Sequence, residues 1–259
     1  MGTNLFSVNV LLLCVVGFIA AIVDAIAGGG GILTLPAYLL FGIPPQMALG
    51  TNKFSGTACS LTSSYHYFKF GKTNTTLLKF LIPATFLGAV LGVTVVLRIN
   101  QQTLRIVLII LIVTMGIYSL FSKNMGEKNH FQGINPSSIV LGCFFAFLLG
   151  FYDGFFGPGA GSFLLFLFIK IYHYDFLNAS GNAKVLNFVS NITSLILFAI
   201  HGKIVYLYAV PVSFFMILGA ITGTKIACSK GSKLIKPIFI LISISIAIKL
   251  LFDYFSLLA

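Results

Sequence analysis

Charged residues are scarce in this chain. Only 8% of its 259 residues are charged, five of them Asp or Glu, and 58% are hydrophobic. An average soluble domain is about one-quarter charged, and a disordered chain is polar, so this composition excludes both classes. The net charge of +11 is typical of nucleic-acid binders, but here the basic residues stand between long apolar runs. The composition therefore predicts a polytopic membrane protein in a lipid bilayer, with no nucleic acid as partner.

Cysteine and histidine are also few, and they are scattered. The sequence has four of each and contains no CxxC, HxxH or HExxH pattern. Because a metal or catalytic centre needs convergent ligands or nucleophiles, we expect no metal, no cofactor and no enzymatic activity. A P-loop is absent as well, so ATP-driven transport would require a separate ATPase.

Long apolar stretches occupy most of the chain. About 20 apolar residues span the hydrocarbon as a helix, and two shorter runs, 32–42 and 162–172, each follow a glycine-rich break. Such breaks are tolerated only inside protein or beside a water-filled cavity. The full-length stretches are 5–27, 45–68, 75–97, 103–122, 137–156, 176–200, 204–224 and 234–258.

The two halves of the chain repeat one another. Asp24 and its glycine break match Asp153 and its break at an offset of 129, and the A-x-G-x-x-K motifs that end at Lys53 and Lys184 match at 131. Thr-Ser and Gly-Lys pairs then follow in the same order. The sequence thus predicts a first membrane repeat over 1–122, a polar connecting loop over 123–136 and a second repeat over 137–259.

Orientation follows from the basic residues in the connections. If each glycine break returns the chain to the side it came from, ten lysines lie on one side and three basic residues on the other, as the positive-inside rule requires. This arrangement places both termini outside and inverts the halves. We therefore expect an all-α fold of two inverted repeats, each with about four long transmembrane helices and a glycine-broken half-length helix. Whether 32–42 and 162–172 are re-entrant or crossing stays open.

Lys53 and Lys184 are the first candidates for a site. An ammonium in hydrocarbon is costly unless it is paired or lies in a cavity, although snorkelling to the headgroups is the alternative. Asp24 and Asp153 precede the breaks as candidates for ion pairing or proton coupling, or as water-facing helix ends.

The glycine breaks expose backbone N–H groups at helix starts, which favours an anion; close helix packing is the alternative. The substrate-binding candidates are Lys53, Lys184, Thr51, Asn52, Asn182, Gly28, Gly29, Gly30, Gly31, Gly157, Gly159 and Gly161. Secondary lining is expected from Ser60, Asn187 and Asn191.

Two motifs resemble those of the TauE/SafE sulfite exporter family. They are DAIAGGGGILTLP from Asp24 with ALGTNK up to Lys53, and YDGFFGPGAG from Tyr152 with the motif that ends at Lys184. The resemblance implies a multi-pass permease of the bacterial or archaeal inner membrane, associated with sulfite, sulfonates and related organosulfur anions. Ala183 stands where the first repeat has Asn52, so the donors are not strictly symmetric.

The favoured hypothesis is a secondary transporter for a small anion, with alternating access, in which Asp24 or Asp153 couples a proton. The alternative is an anion channel or a membrane subunit of a larger assembly. The sequence leaves open the substrate, the direction of transport, the coupling ion and whether the chain forms a homo-oligomer.

Overall fold

The computed structural model describes residues 2–121, 129–131 and 133–230, and the regular structure in these ranges is helical. Nine helices occupy the described part of the chain. They are α1 Gly2–Ala27, α2 Gly31–Leu40, α3 Pro45–Lys69, α4 Thr75–Arg98, α5 Gln101–Phe121, α6 Pro136–Phe155, α7 Ala160–Tyr172, α8 Phe176–Ile200 and α9 Tyr206–Lys230.

Five of the described helices are long and apolar enough to cross a membrane: α1 over Val8–Ala27, α4, α6, α8 and α9 over Tyr206–Ser229. This confirms the prediction of an all-α polytopic membrane protein. The predicted stretch 45–68 forms α3, which is not among the five because polar and small residues interrupt it. Helices α8, α9, α2, α5 and α1 surround α3. The predicted stretch 234–258 and half of the loop 123–136 lie outside the described residues.

Helix starts coincide with side chains that cap them. The Asn74 side chain accepts from the backbone of α4, Asp175 does so at α8, and Asn135 forms a capping box before Pro136 at the start of α6. These side chains satisfy N–H groups that have no partner within the helix. The caps therefore define where three of the long helices begin.

The outer helices of each half pack against outer helices of the other half. Helix α4 packs against α6, and α1 packs against α9; by the repeat alignment α1 corresponds to α6 and α4 to α9. Glycines allow the backbones to touch: a Cβ on Gly88 of α4 would lie 2.1 Å from the Phe147 carbonyl oxygen, and one on Gly219 of α9 would lie 2.3 Å from the Phe18 oxygen. Each of these two contacts, α4 with α6 and α1 with α9, is called a seam and joins one helix of each half.

Helices α3 and α8 cross at the centre and run in opposite directions. A Cβ on Gly50, near the start of α3, would lie 2.0 Å from the Lys203 oxygen just beyond α8, and one on Gly181, near the start of α8, would lie 2.1 Å from the Lys72 oxygen beyond α3. The two helices are equivalent in the repeat. Their antiparallel packing brings both glycine breaks to the middle of the fold.

Candidate functional site

The two glycine breaks touch one another. Gly28 follows the last residue of α1 and has φ +75°, and Gly157 follows α6 with φ +95°. A Cβ on Gly28 would lie 2.3 Å from the Gly161 carbonyl carbon, and the Ser162 hydroxyl donates to the Ala27 and Gly28 oxygens at 2.9 and 3.1 Å. The backbone just after α1 therefore rests directly on the backbone at the start of α7.

Lys53 forms a buried ion pair with Asp153. Its Nζ lies 2.7 Å from Asp153 Oδ1, and both side chains are 2% exposed. The ammonium also donates to Asn191 Oδ1 at 3.1 Å. The second carboxylate oxygen accepts from Asn187 Nδ2 at 3.1 Å and from the Ser190 hydroxyl. Every polar atom of this pair is thus held by groups of opposite charge or by hydrogen bonds.

Lys184 forms the equivalent pair with Asp24. Its Nζ lies 2.7 Å from Asp24 Oδ2, and the side-chain exposures are 2% and 13%. Asp24 Oδ1 accepts from the Gly30 backbone N–H at 3.0 Å, and Cys59 Sγ lies 3.6 Å from Oδ2. This carboxylate is the more exposed of the two.

Each ion pair joins the two halves of the chain. Lys53 of the first half pairs with Asp153 of the second, and Lys184 of the second pairs with Asp24 of the first. An unpaired charge inside the protein would cost several kcal/mol, so the pairs explain how two lysines can be buried. They also answer the snorkelling alternative, because both ammonium groups point into the protein. The four formal charges sum to zero.

A small polar cavity lies between the breaks, with a free volume of about 30 Å³ for water-sized molecules. On that measure one water needs about 10–15 Å³, so there is room for about two. Its walls are glycine backbone and polar side chains, with Met216 as the apolar member. The lining residues are Asp24, Gly29, Gly30, Gly31, Thr34, Asn52, Lys53, Gly56, Asp153, Gly157, Gly159, Gly161, Asn187, Asn191 and Met216.

The structure does not bring every predicted binding residue to this cavity. Thr51 Oγ1 accepts from the Val205 N–H at 3.0 Å, and Asn182 Oδ1 accepts from the Asn74 N–H at 2.7 Å. These side chains tie the starts of α3 and α8 to the segments before α9 and α4. Neither side chain lines this cavity, and their part in the anion site stays a prediction.

Three more candidates lie outside the cavity lining: Gly28, Ser60 and Lys184. Gly28 packs on the opposite break, and Ser60 donates to the Gly56 oxygen within its own helix at 2.7 Å. Lys184 lies behind Asp24, and its Nζ would be 3.6 Å from a Cβ on Gly161. Only the carboxylate of that pair therefore faces the cavity.

Sequence reasoning missed Thr34, Gly56, Cys59 and Met216. Thr34 Oγ1 donates to Asn52 Oδ1 at 2.5 Å, which orients that amide in the cavity wall. A hydroxyl in the short apolar run 32–42 was the available signal for Thr34. Among the described residues, no group of three or more His, Cys, Asp or Glu could hold a metal ion.

Comparison with known proteins gives the family. The family described as "Sulfite exporter TauE/SafE" matches residues 13–250. A probable membrane transporter protein of Haemophilus influenzae is 37% identical over 243 residues, covering 94% of each chain. The probable membrane transporter protein YfcA of Escherichia coli is 36% identical over 256 residues, covering 96% of this chain and 93% of the relative.

A further relative, the probable membrane transporter protein ORF9 of Sinorhizobium sp., is 36% identical over 244 residues and covers 93% of this chain and 92% of its own. No solved structure matches the chain significantly. These relatives are named as transporters and not as enzymes, which agrees with the absence of a catalytic set predicted from the sequence. The match over nearly the whole length, together with the paired glycine breaks, shows that the chain belongs to the TauE/SafE family of membrane transporters.

Proposed function

We propose that this protein is a secondary transporter that moves a small anion across the plasma membrane by alternating access. The anion is sulfite, which the family description names, or a sulfonate or a related organosulfur anion. The observation that carries the proposal is the convergence of two buried lysines, one from each half, on the touching glycine breaks. Intramembrane ionisable residues at such positions mark substrate pathways in transporters.

The cavity wall offers donors suited to an anion. Lys53 brings a positive charge, and the amides of Asn52, Asn187 and Asn191 line the same space. Helices α2 and α7 begin at this wall, at Gly31 and Ala160. A helix start presents free N–H groups and the positive end of the helix dipole, which together attract anions.

The charge balance of the site supports coupling to protons. The two ion pairs are neutral together, so an entering anion adds uncompensated negative charge beside two carboxylates. A proton on Asp24 or Asp153 removes one of those negative charges and leaves its lysine free to hold the anion. Movement of a proton with the anion therefore keeps the buried site close to neutral at each step.

Alternating access fits an inverted repeat. Support for the inversion comes from the antiparallel packing of the equivalent helices α3 and α8, and from Lys72 and Lys203, which lie at opposite ends of that pair. With the basic connections inside, both termini lie outside a bacterial or archaeal inner membrane.

Transport by purified protein in proteoliposomes tests the proposal. Lys53→Ala and Lys184→Ala are expected to abolish uptake or efflux of sulfite and sulfonates. Because each change leaves a buried carboxylate unpaired, each is also made with its partner, as Asp153→Asn or Asp24→Asn, so that loss of folding is separated from loss of transport. Lys79→Ala on the exposed face of α4 is the matched control.

In a carrier the flux saturates as the anion concentration rises, and it speeds up when the anion is also present on the opposite side of the membrane. These two measurements distinguish a carrier from a channel. Unchanged flux in both lysine variants, at normal protein level, would remove the basis of the proposed anion site.

A further inference from the structure

The two ion pairs occupy equivalent places in the repeat, but their neighbours differ. At the offset of 131, Asn187 of α8 corresponds to Gly56 of α3, and Ser190 corresponds to Cys59. The second half therefore places an amide and a hydroxyl beside its aspartate. The first half offers no side chain and a thiol at the same positions.

Both carboxylate oxygens of Asp153 accept hydrogen bonds. Lys53 donates to one oxygen, and Asn187 and Ser190 donate to the other. Hydrogen bonds from charged and neutral donors stabilise an ionised carboxylate and are lost or weakened when it takes a proton. Protonation of Asp153 would thus disturb three contacts in a fully buried site.

Asp24 has weaker partners. Lys184 and the Gly30 N–H donate to it, while Cys59 contributes a thiol, which is a weak donor at 3.6 Å. Its side chain is 13% exposed, against 2% for Asp153, and it forms part of the cavity wall. Both carboxylates line the cavity, but Asp24 is the more exposed of the two and loses fewer hydrogen bonds on protonation.

The groups that face Asp24 come from several helices. Lys184 approaches from α8, and Cys59 and Tyr67 approach from α3, with the Tyr67 hydroxyl donating to the Ala25 oxygen at 3.0 Å. Lys53 and Asp153 share the cavity with it, and α9 contributes the uncharged Met216. A proton on Asp24 therefore changes the local charge from neutral to positive.

We propose that Asp24 is the proton-accepting carboxylate of the transport cycle and that Asp153 stays ionised. This inference rests on the proposed anion transport. Protonation of Asp24 breaks its ion pair and releases Lys184, which then holds the anion together with Lys53. Asp153, fixed by Asn187 and Ser190, acts as a positioning residue that keeps Lys53 in place. The two halves thus have different roles in transport although their sequences repeat.

Binding at two pH values tests this division. Because a bound anion beside a carboxylate favours its protonated form, purified protein is titrated with sulfite, sulfate, thiosulfate, taurine and sulfoacetate at about pH 6 and about pH 8. The tightest-binding anion is then used for Asp24→Asn and the matched variant Asp153→Asn. Comparison of variants at the same pH cancels any titration of the anion itself.

The wild type is expected to bind about tenfold more tightly at the lower pH, because protonation removes a competing carboxylate. Asp24→Asn is expected to bind with the tighter constant at both pH values, a gain that a misfolded protein would not show, and to lose uphill accumulation driven by a pH gradient. Asp153→Asn is expected to keep the pH dependence and to melt at a lower temperature. A wild-type pH dependence in Asp24→Asn, or its loss in Asp153→Asn, would overturn the division.

A second pair of variants exchanges the neighbours. Gly56→Asn with Cys59→Ser gives Asp24 the donors that Asp153 has, and a Cβ at Gly56 would be in ordinary contact, 3.6 Å from Asn191 Nδ2. This variant is expected to weaken binding at about pH 6 by about tenfold. Asn187→Gly with Ser190→Cys is the reciprocal control. Equal binding by the first variant and the wild type at both pH values would count against the inference.

The outcomes separate this inference from the proposed function. A protein that binds none of the five anions overturns both. If binding depends on Lys53 and Lys184 but the two aspartate variants behave alike, anion transport stands and the division of tasks falls.

Discussion

Replacing Gly28 by alanine tests whether contact between the two glycine breaks holds the halves together. Gly28 has φ +75°, and a Cβ there would lie 2.3 Å from the Gly161 carbonyl carbon and from the Ser162 nitrogen. Gly42 is a matched control, because its φ is +77° and a Cβ would meet nothing within 4 Å. The pair of variants separates backbone strain from steric contact.

The expected magnitudes follow from these distances. Alanine in the left-handed region costs about 1–2 kcal/mol, and Gly42→Ala should cost this alone. At Gly28 the two backbones must also move apart by more than 1 Å or so to reach ordinary contact, and overpacking of this kind costs about 1–3 kcal/mol more. For a chain of this size the extra cost lowers the melting temperature of Gly28→Ala by roughly 2–12 °C relative to Gly42→Ala.

Thermal unfolding of both variants in the same detergent, followed by the loss of the monodisperse peak, gives the measurement. Transport in proteoliposomes is recorded in parallel, and Gly28→Ala is expected to lose it because the ion pairs on either side of the contact are displaced. Equal melting temperatures for the two variants would refute the steric reasoning. Equal transport would show that the breaks need not touch.

Two further changes probe the remaining contacts. Lys53→Met leaves Asp153 buried without its cation and should lower the free energy of unfolding, measured by chemical denaturation, by about 3–5 kcal/mol. The double variant with Asp153→Leu should recover most of that stability without recovering transport. A double variant no more stable than the single one would contradict this. Asn74→Ala removes the cap of α4 together with the bond to the Tyr174 hydroxyl and should lower the free energy of unfolding by about 1–2 kcal/mol. Asn100 caps α5 at an exposed position, where its side chain accepts from the Thr103 N–H at 2.8 Å. Asn100→Ala should cost less, and the reverse order would refute the assignment.

The helices and the breaks could be predicted from the sequence because their signals are local. Apolar length indicates a span, glycine runs indicate a break, and a repeat of rare polar residues marks Asp24, Asp153, Lys53 and Lys184. Which aspartate pairs with which lysine depends on the tertiary fold, because the partners lie 100 residues or more apart in the sequence. The sequence alone left these partners open.

Helical geometry explains why two predicted donors are absent from the cavity. Thr51 and Asn182 each stand two positions before a lysine, and two positions turn a side chain by about 200° around the helix. When Lys53 and Lys184 point to the site, these residues point away from it and bond to the neighbouring segment. Asn52, one position from Lys53, stays within reach of the cavity.

The way the halves interlock limits how the site can open. Helix α4 of the first half is seated on α6 of the second, and α9 is seated on α1, with backbone atoms in contact at Gly88 and Gly219. Separation of one whole half from the other would part both seams and both ion pairs at once. Movement of the short helices α2 and α7 about their glycine breaks leaves both seams closed. It changes the wall that faces Lys53 and Asp24, because Gly31, Thr34 and Gly161 line the cavity from those helices. The breaks, where backbone N–H groups would meet the proposed anion, are therefore also the place where the fold can bend without losing its two long seams.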